Sequence, residues 1–175
     1  KPLEIFDQEE VEALLRPYPL YSDFEYTSLW AWNVKEAIEL SKLNGNLALK
    51  FTDYITGEPF YTFIGVRDAD DTAEKLITRA KEEGIDPVLH LVPDISVKAM
   101  NVARFTMQES RDHFDYVCDI ARYITYSGGK LKHRRNFLNG FKLRYPGYTV
   151  EELDLKDPQV HTEMTDLYRH WKEAK

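Results

Sequence analysis

Cysteine is nearly missing. Cys118 is the single one in 175 residues, which excludes an intrachain disulfide and any cysteine-built zinc cluster. Long apolar runs are missing too: no stretch approaches the roughly 18 residues that a membrane-crossing helix needs. The first residues, Lys1 to Glu12, are too acidic and mixed for a secretory leader. Internal repeats, low-complexity tracts and Gly/Ser linkers are absent. So are a P-loop, Gly-x-Gly-x-x-Gly, His-Glu-x-x-His and Gly-x-Ser-x-Gly. The five histidines include no pair at i,i+3 or i,i+4, so no metal site is expected. A reducing compartment, most simply the cytoplasm, is the default expectation, with no membrane span.

Apolar residues make up 43% of the chain and charged residues 30%, the balance of a domain that folds around its own core. The net charge of −7 hides an asymmetry. From Ile120 to Val150 there is no Asp or Glu, while Arg122, Lys130, Lys132, Arg134, Arg135, Lys142 and Arg144 all fall there. An acidic protein with one basic element is not a general nucleic-acid coater. The basic element needs a local reason: an anionic ligand, an RNA contact, or pairing with the acidic remainder.

Punctuation sets the expected elements. Asp7 reads as a helix cap ahead of Val11, Leu14 and Leu15, and Pro17 ends that helix. Ser22-Asp23 caps a second helix, Phe24 to Asn33, aromatic all round and therefore expected to be packed, either buried or lining a pocket. Alternation on both sides of Asn44-Gly45 predicts a β-hairpin, with a third strand from Phe60 to Val66. A helix follows from Asp71 or Thr72 to Glu83, closed by Gly84. A short strand at Val88–Val92, a helix from Pro93 to about Ala103, and strands at Phe105–Glu109 and Asp115–Cys118 come next, with Cys118 buried and inert. Helices at Asp119–Tyr126 and Lys130–Tyr145, a strand at Thr149–Leu153 and a last helix from Pro158 complete the chain. The expected class is α/β (α+β): a mixed, mainly antiparallel sheet flanked by helices, plus a basic helix. The order of the first ten elements resembles the Gcn5-related N-acetyltransferase fold. One domain is expected over residues 1–126, with a basic linking helix and the start of a second such domain over 127–175.

Candidate site residues fall in two places. Asp112, Asp115 and Asp119 lie near one turn with His113 and Tyr116, either as an acid–base cluster or as turn and cap residues. On the basic helix, at about 100° per residue, Leu131, Phe137, Leu138, Phe141 and Tyr145 share a face. Arg134 points into that face and must find a carboxylate, for instance one from the Asp112–Asp119 turn, or an anion. Arg135 and Lys142 share one edge, a spacing suited to successive phosphates, so that removing either is expected to leave the fold intact.

Three segments carry a family resemblance. Tyr21-Ser22-Asp23-Phe24-Glu25-Tyr26-Thr27-Ser28-Leu29-Trp30-Ala31-Trp32, Arg111-Asp112-His113-Phe114-Asp115-Tyr116-Val117, and Ser127-Gly128-Gly129-Lys130-Leu131-Lys132-His133-Arg134-Arg135-Asn136-Phe137-Leu138-Asn139-Gly140-Phe141 resemble, in that order, motifs of the phosphatidylglycerol lysyltransferase C-terminal domain family. The resemblance implies two tandem acetyltransferase-like domains, of which this chain holds the first. It implies transfer of an aminoacyl group from a charged tRNA to a lipid or peptide acceptor. Lys130, Lys132, Arg134, Arg135, Asn136 and Lys142 are then the expected contacts to tRNA or another anionic donor. Asp112, Asp115 and Tyr116 are a pocket or pairing group, and the second domain is a partner. Acetyltransferases of this fold hold coenzyme A on a Gly-rich turn. Here that turn, Gly65 to Asp71, carries three Asp, so no cofactor is expected in this chain. Alternative readings are a non-catalytic binding or scaffold module, and a coenzyme A acyltransferase with its cofactor site elsewhere.

Overall fold

Asn44 and Gly45 both take positive φ, 54° and 81°, the geometry that matches a two-residue turn to the twist of its flanking strands. They join β1 (Glu39–Leu43) to β2 (Asn46–Thr52), with Leu43 opposite Asn46 and Leu40 opposite Leu49. β3 (Pro59–Ile64) pairs antiparallel on the other side of β2, giving a three-stranded sheet of order β1-β2-β3. The computed structural model describes residues 1–33 and 37–174. They form two compact units, Lys1–Val117 and Cys118–Lys175.

In the first unit both faces of the sheet are covered, because strand residues alternate between them. Leu40, Leu47, Leu49 and Ile64 meet Val11 of α1 (Gln8–Leu15) and Leu29 of α2 (Tyr26–Trp32), together with Phe24. Ala48, Tyr61 and Phe63 meet Ala69, Ala73, Leu76 and Ala80 of α3 (Ala69–Glu82). Small residues on both sides let α3 lie close to the sheet. Phe63 is fully buried there, a site where truncation to Ala costs about 3–5 kcal/mol. α2 buries Tyr26 and Leu29 but not all its aromatics. Trp30 is 42% exposed and Trp32 72% exposed, the latter 6.3 Å from the Tyr54 ring. A helix with one covered side cannot bury an all-round aromatic surface, so the segment is packed through Phe24, Tyr26 and Leu29 while Trp30 and Trp32 stay outside the core.

Beyond α3 the regular structure thins. Val88–Val92 contributes only an isolated parallel bridge, Tyr61 to Leu89, with the His90 amide donating to the Tyr61 carbonyl at 3.2 Å. α4 spans only Asp94–Val97. The helix expected to reach Ala103 stops early, and the Asn101 side chain accepts from the Ala103 amide in a turn of its own. The strands expected at Phe105–Glu109, Asp115–Cys118 and Thr149–Leu153 do not form. Strand-like alternation needs a neighbouring strand to bond, and none lies beside these segments among the described residues.

The second unit holds α5 (Ile120–Thr125), α6 (Lys132–Arg144) and α7 (Pro158–Glu173). Asp119 caps α5 by accepting from the Ala121 amide at 3.0 Å, and Asp157 caps α7 by accepting from that of Gln159 at 2.8 Å. Cys118 is exposed rather than buried, 3.7 Å from the Tyr123 hydroxyl, because its segment joins no sheet. Arg135 of α6 bonds back to the residues that follow α5 within this unit. Among the described residues no helix is long and apolar enough to cross a membrane.

Candidate functional site

Within the first unit, two of the sequence motifs meet. The Ser22 hydroxyl and amide both donate to the Asp115 carboxylate, the amide at 3.3 Å. Asp115 thereby ties the Arg111–Val117 segment to the short 3-10 turn Ser22–Phe24 that leads into α2. Next to it Tyr21 donates its hydroxyl to Asp94. Loss of hydration, then that hydrogen bond, push the Tyr21 phenol up to about 12. Asp23 stands exposed by area yet crowded. Desolvation first, then the Asp115 charge, raise its carboxyl above the ordinary value, only partly offset by His113. Asp112 and Tyr116 do not join this group: both face solvent, Tyr116 98% exposed. His113 shares a 2.7 Å hydrogen bond with Ser110, and the Arg111 guanidinium lies over the Phe114 ring. Of the residues expected to cluster, the structure uses Asp115 as a tether.

The turn from β3 into α3 is closed by the protein's own groups. The Asn46 side chain, buried, donates to the Arg67 carbonyl at 2.7 Å and to the Thr72 hydroxyl at 2.9 Å, and accepts from the Arg67 amide at 3.2 Å. The buried Ser96 hydroxyl accepts from the Gly65 amide at 2.9 Å. A Cβ on Gly65 would stand 2.0 Å from the Asn46 carbonyl oxygen, so the amide fills the space above that glycine. Asp70 and Asp71 add negative charge in the first turn of α3. A pyrophosphate needs free amide donors and positive potential; this turn spends the Gly65 and Arg67 donors internally, and its Asp70 and Asp71 are paired with Arg104 and Lys75.

In the second unit the basic segment is laid out as a short 3-10 turn, Gly129–Leu131, running into α6. Lys130, Lys132, Arg134, Asn136 and Lys142 are exposed. Among the described residues Arg134 finds no carboxylate; its guanidinium lies 5.4 Å from the centre of the Tyr123 ring. Among the described residues of this unit no carboxylate pairs with Lys130, Lys132, Lys142 or Arg144 either, whereas Arg122 has Asp119 at 3.6 Å. Arg135 behaves differently from its neighbours. It is half-buried and donates to the Tyr126 carbonyl and, at 3.3 Å, to the Gly128 carbonyl. It clamps the end of α5 to α6, a structural task that its edge position on the helix did not announce. Asn136 lies on the side of α6 away from Arg134, by helical rotation.

The apolar face of α6 stays open. Arg134, Phe137, Leu138 and Phe141, with Tyr126 from the end of α5, line a hollow of about 540 Å³. Phe141 packs against Tyr145 and Tyr148 with ring centres 5.1 and 5.2 Å away, and Tyr123 lies edge-on to Tyr126 at 6.4 Å. The helix face was readable from the sequence. Tyr123 and Tyr126 were not assigned to it, although their i,i+3 spacing on a helix entering the segment is the signal that places them together. Among the described residues no group of His, Cys, Asp and Glu is arranged to hold a metal ion.

Comparison with known proteins adds three findings. No curated protein matches the chain. A crystal structure of a conserved protein of unknown function from Bacteroides thetaiotaomicron shares the fold, with a TM-score of 0.75 and 22% identity, over 99% of this chain. The present chain spans 59% of the length of that relative. The family model described as phosphatidylglycerol lysyltransferase, C-terminal, matches residues 15–175, and the chain therefore belongs to this family of transferase-like proteins.

Proposed function

We propose that the chain is the leading part of an aminoacyl transferase that takes its donor from a charged tRNA, and that the second unit contacts the anionic donor. One observation carries the reading: a basic stretch, free of acidic residues, whose Lys130, Lys132, Lys142 and Arg144 have no carboxylate partner within their unit. Cations left unpaired and exposed on one element raise the local potential and attract a polyanion. A three-stranded sheet with α1 and α2 on one face and α3 on the other supports the reading, in which the first unit is an acetyltransferase-like scaffold. Its closed β3–α3 turn argues against coenzyme A as donor in this unit. A second domain of the same kind, a lipid or peptide acceptor and a cytoplasmic site complete the proposal. The test is recovery of RNA bound to the full-length protein from cell extract, followed by sequencing. Enrichment of tRNA supports the reading; no nucleic acid above background overturns it.

A second reading has its own observation. Ile120, Ile124 and Leu167 are exposed on α5 and α7, as expected of helices that dock a partner domain. In that reading the module is a scaffold, and its basic helix meets an acidic protein surface rather than RNA.

A further inference from the structure

We infer that the hollow on α6 takes unpaired nucleotides of an RNA strand, stacking their bases on the exposed rings. The inference rests on the reading above that this segment meets RNA, and it names which part of the RNA. Phe137 is 68% exposed and Phe141 46% exposed, on the same face as Arg134 and beside Tyr126. A ring left in water on a charged helix costs free energy unless something flat and apolar covers it. Arg134 adds a second flat surface, because its guanidinium is held over Tyr123 and not drawn off by a carboxylate.

The charges beside the hollow select the occupant. Lys130 stands in the turn before α6. Lys142 and Arg144 fall on opposite edges of the helix, to either side of the apolar face. No acidic side chain occurs from Ile120 to Val150. An apolar peptide would satisfy the rings and leave the cations bare. A duplex would satisfy the cations and leave the rings bare, since its bases are stacked on one another. A single strand satisfies both, with phosphates at the edges and unstacked bases on the face. A protein surface with both acidic and apolar groups is the competitor.

The experiment measures binding of the full-length protein to three probes: a tRNA with its single-stranded 3′ end, the same tRNA with that end trimmed to the duplex, and a single-stranded ten-nucleotide adenylate. Phe137→Ala and the ring-preserving Phe137→Tyr are compared with wild type across a salt series. Phe137 is exposed enough that neither change threatens the fold, and a melting curve checks this. The expected result is a loss of about fivefold or more for Phe137→Ala on the intact tRNA and the adenylate, the low end of the range for removing one stacked base. The salt slope should stay unchanged and Phe137→Tyr should restore affinity. Trimming the 3′ end should weaken binding comparably. If the trimmed tRNA binds as well as the intact one and Phe137→Ala has no effect, the inference is overturned while the tRNA reading stands. If no probe binds at low salt, both fall. If Phe137→Ala lowers the melting temperature and leaves RNA binding intact, the hollow is a protein interface and the inference is overturned.

Discussion

Arg135→Ala is expected to loosen the junction between α5 and α6. In the folded protein the guanidinium donates to the carbonyls of Tyr126 and Gly128, two residues in left-handed or otherwise uncommon backbone geometry, Tyr126 at φ 48° and Gly128 at φ 84°. Hydrogen bonds from a charged donor contribute about 1.5–3 kcal/mol when shielded from water. The Gly128 bond is exposed and contributes little, whereas the Tyr126 bond is partly buried. The expected loss is therefore about 1–2 kcal/mol, confined to the second unit. Arg134→Ala removes only an exposed cation–π contact, worth about 0.5–1 kcal/mol. Arg135→Lys should not rescue, because a point charge cannot span both carbonyls as the planar fork does. Hydrogen exchange is the assay: the hydrogen-bonded amides at the end of α5 and in the first turns of α6 should lose protection in Arg135→Ala and retain it in Arg134→Ala. Equal protection in the two variants would refute the clamp.

Asn46→Ala should cost about 2–3 kcal/mol, since it strands the Arg67 amide and carbonyl in a partly buried turn, while the Thr72 hydroxyl keeps its bond from Asn44; a melt within 2 °C of wild type would contradict that role. Asp23 has its carboxyl raised in the folded state, so the folded protein holds that proton more tightly than the unfolded chain. Stability from this group is greatest at low pH and falls as pH rises from the ordinary Asp value through the raised one. Asp23→Asn should therefore raise the melting temperature at neutral pH and give no gain at about pH 3; a gain that persists at low pH would contradict the sign. The Thr62 hydroxyl is buried without a partner, so Thr62→Val should be neutral or stabilising by up to about 1 kcal/mol, checked by denaturant midpoint.

The elements that sequence revealed were those with local causes. Asn44-Gly45 announced the hairpin because both residues accept positive φ, and the alternation of Leu47, Ala48 and Leu49 set which side chain met which helix. α6 followed from the spacing of Phe137, Leu138 and Phe141. What stayed hidden depended on contacts distant in sequence. Asp115 bonds Ser22 across 93 residues, and no pattern near either residue marks the other. Asn46 directly follows the hairpin turn in sequence, yet its side-chain amide closes a turn 21 residues away. Arg135 has a structural task because the bend at Tyr126 to Gly128 brings carbonyls under it, a consequence of backbone geometry rather than helix periodicity. The segment around Tyr116 alternates as a strand does, but no neighbouring strand lies beside it among the described residues.

Filter binding of tRNA to the full-length protein from low to physiological salt tests the central claim, that the basic segment holds an anionic donor. Lys130, Lys142 and Arg144 lie beside the open face, Arg134 is held over Tyr123, and Arg135 is engaged with backbone carbonyls. Three phosphate contacts give a slope of log affinity against log salt of about −2, and Lys142→Ala should reduce its magnitude by a little under one unit. Absence of tRNA binding at low salt, or a slope unchanged in Lys142→Ala, would contradict the account.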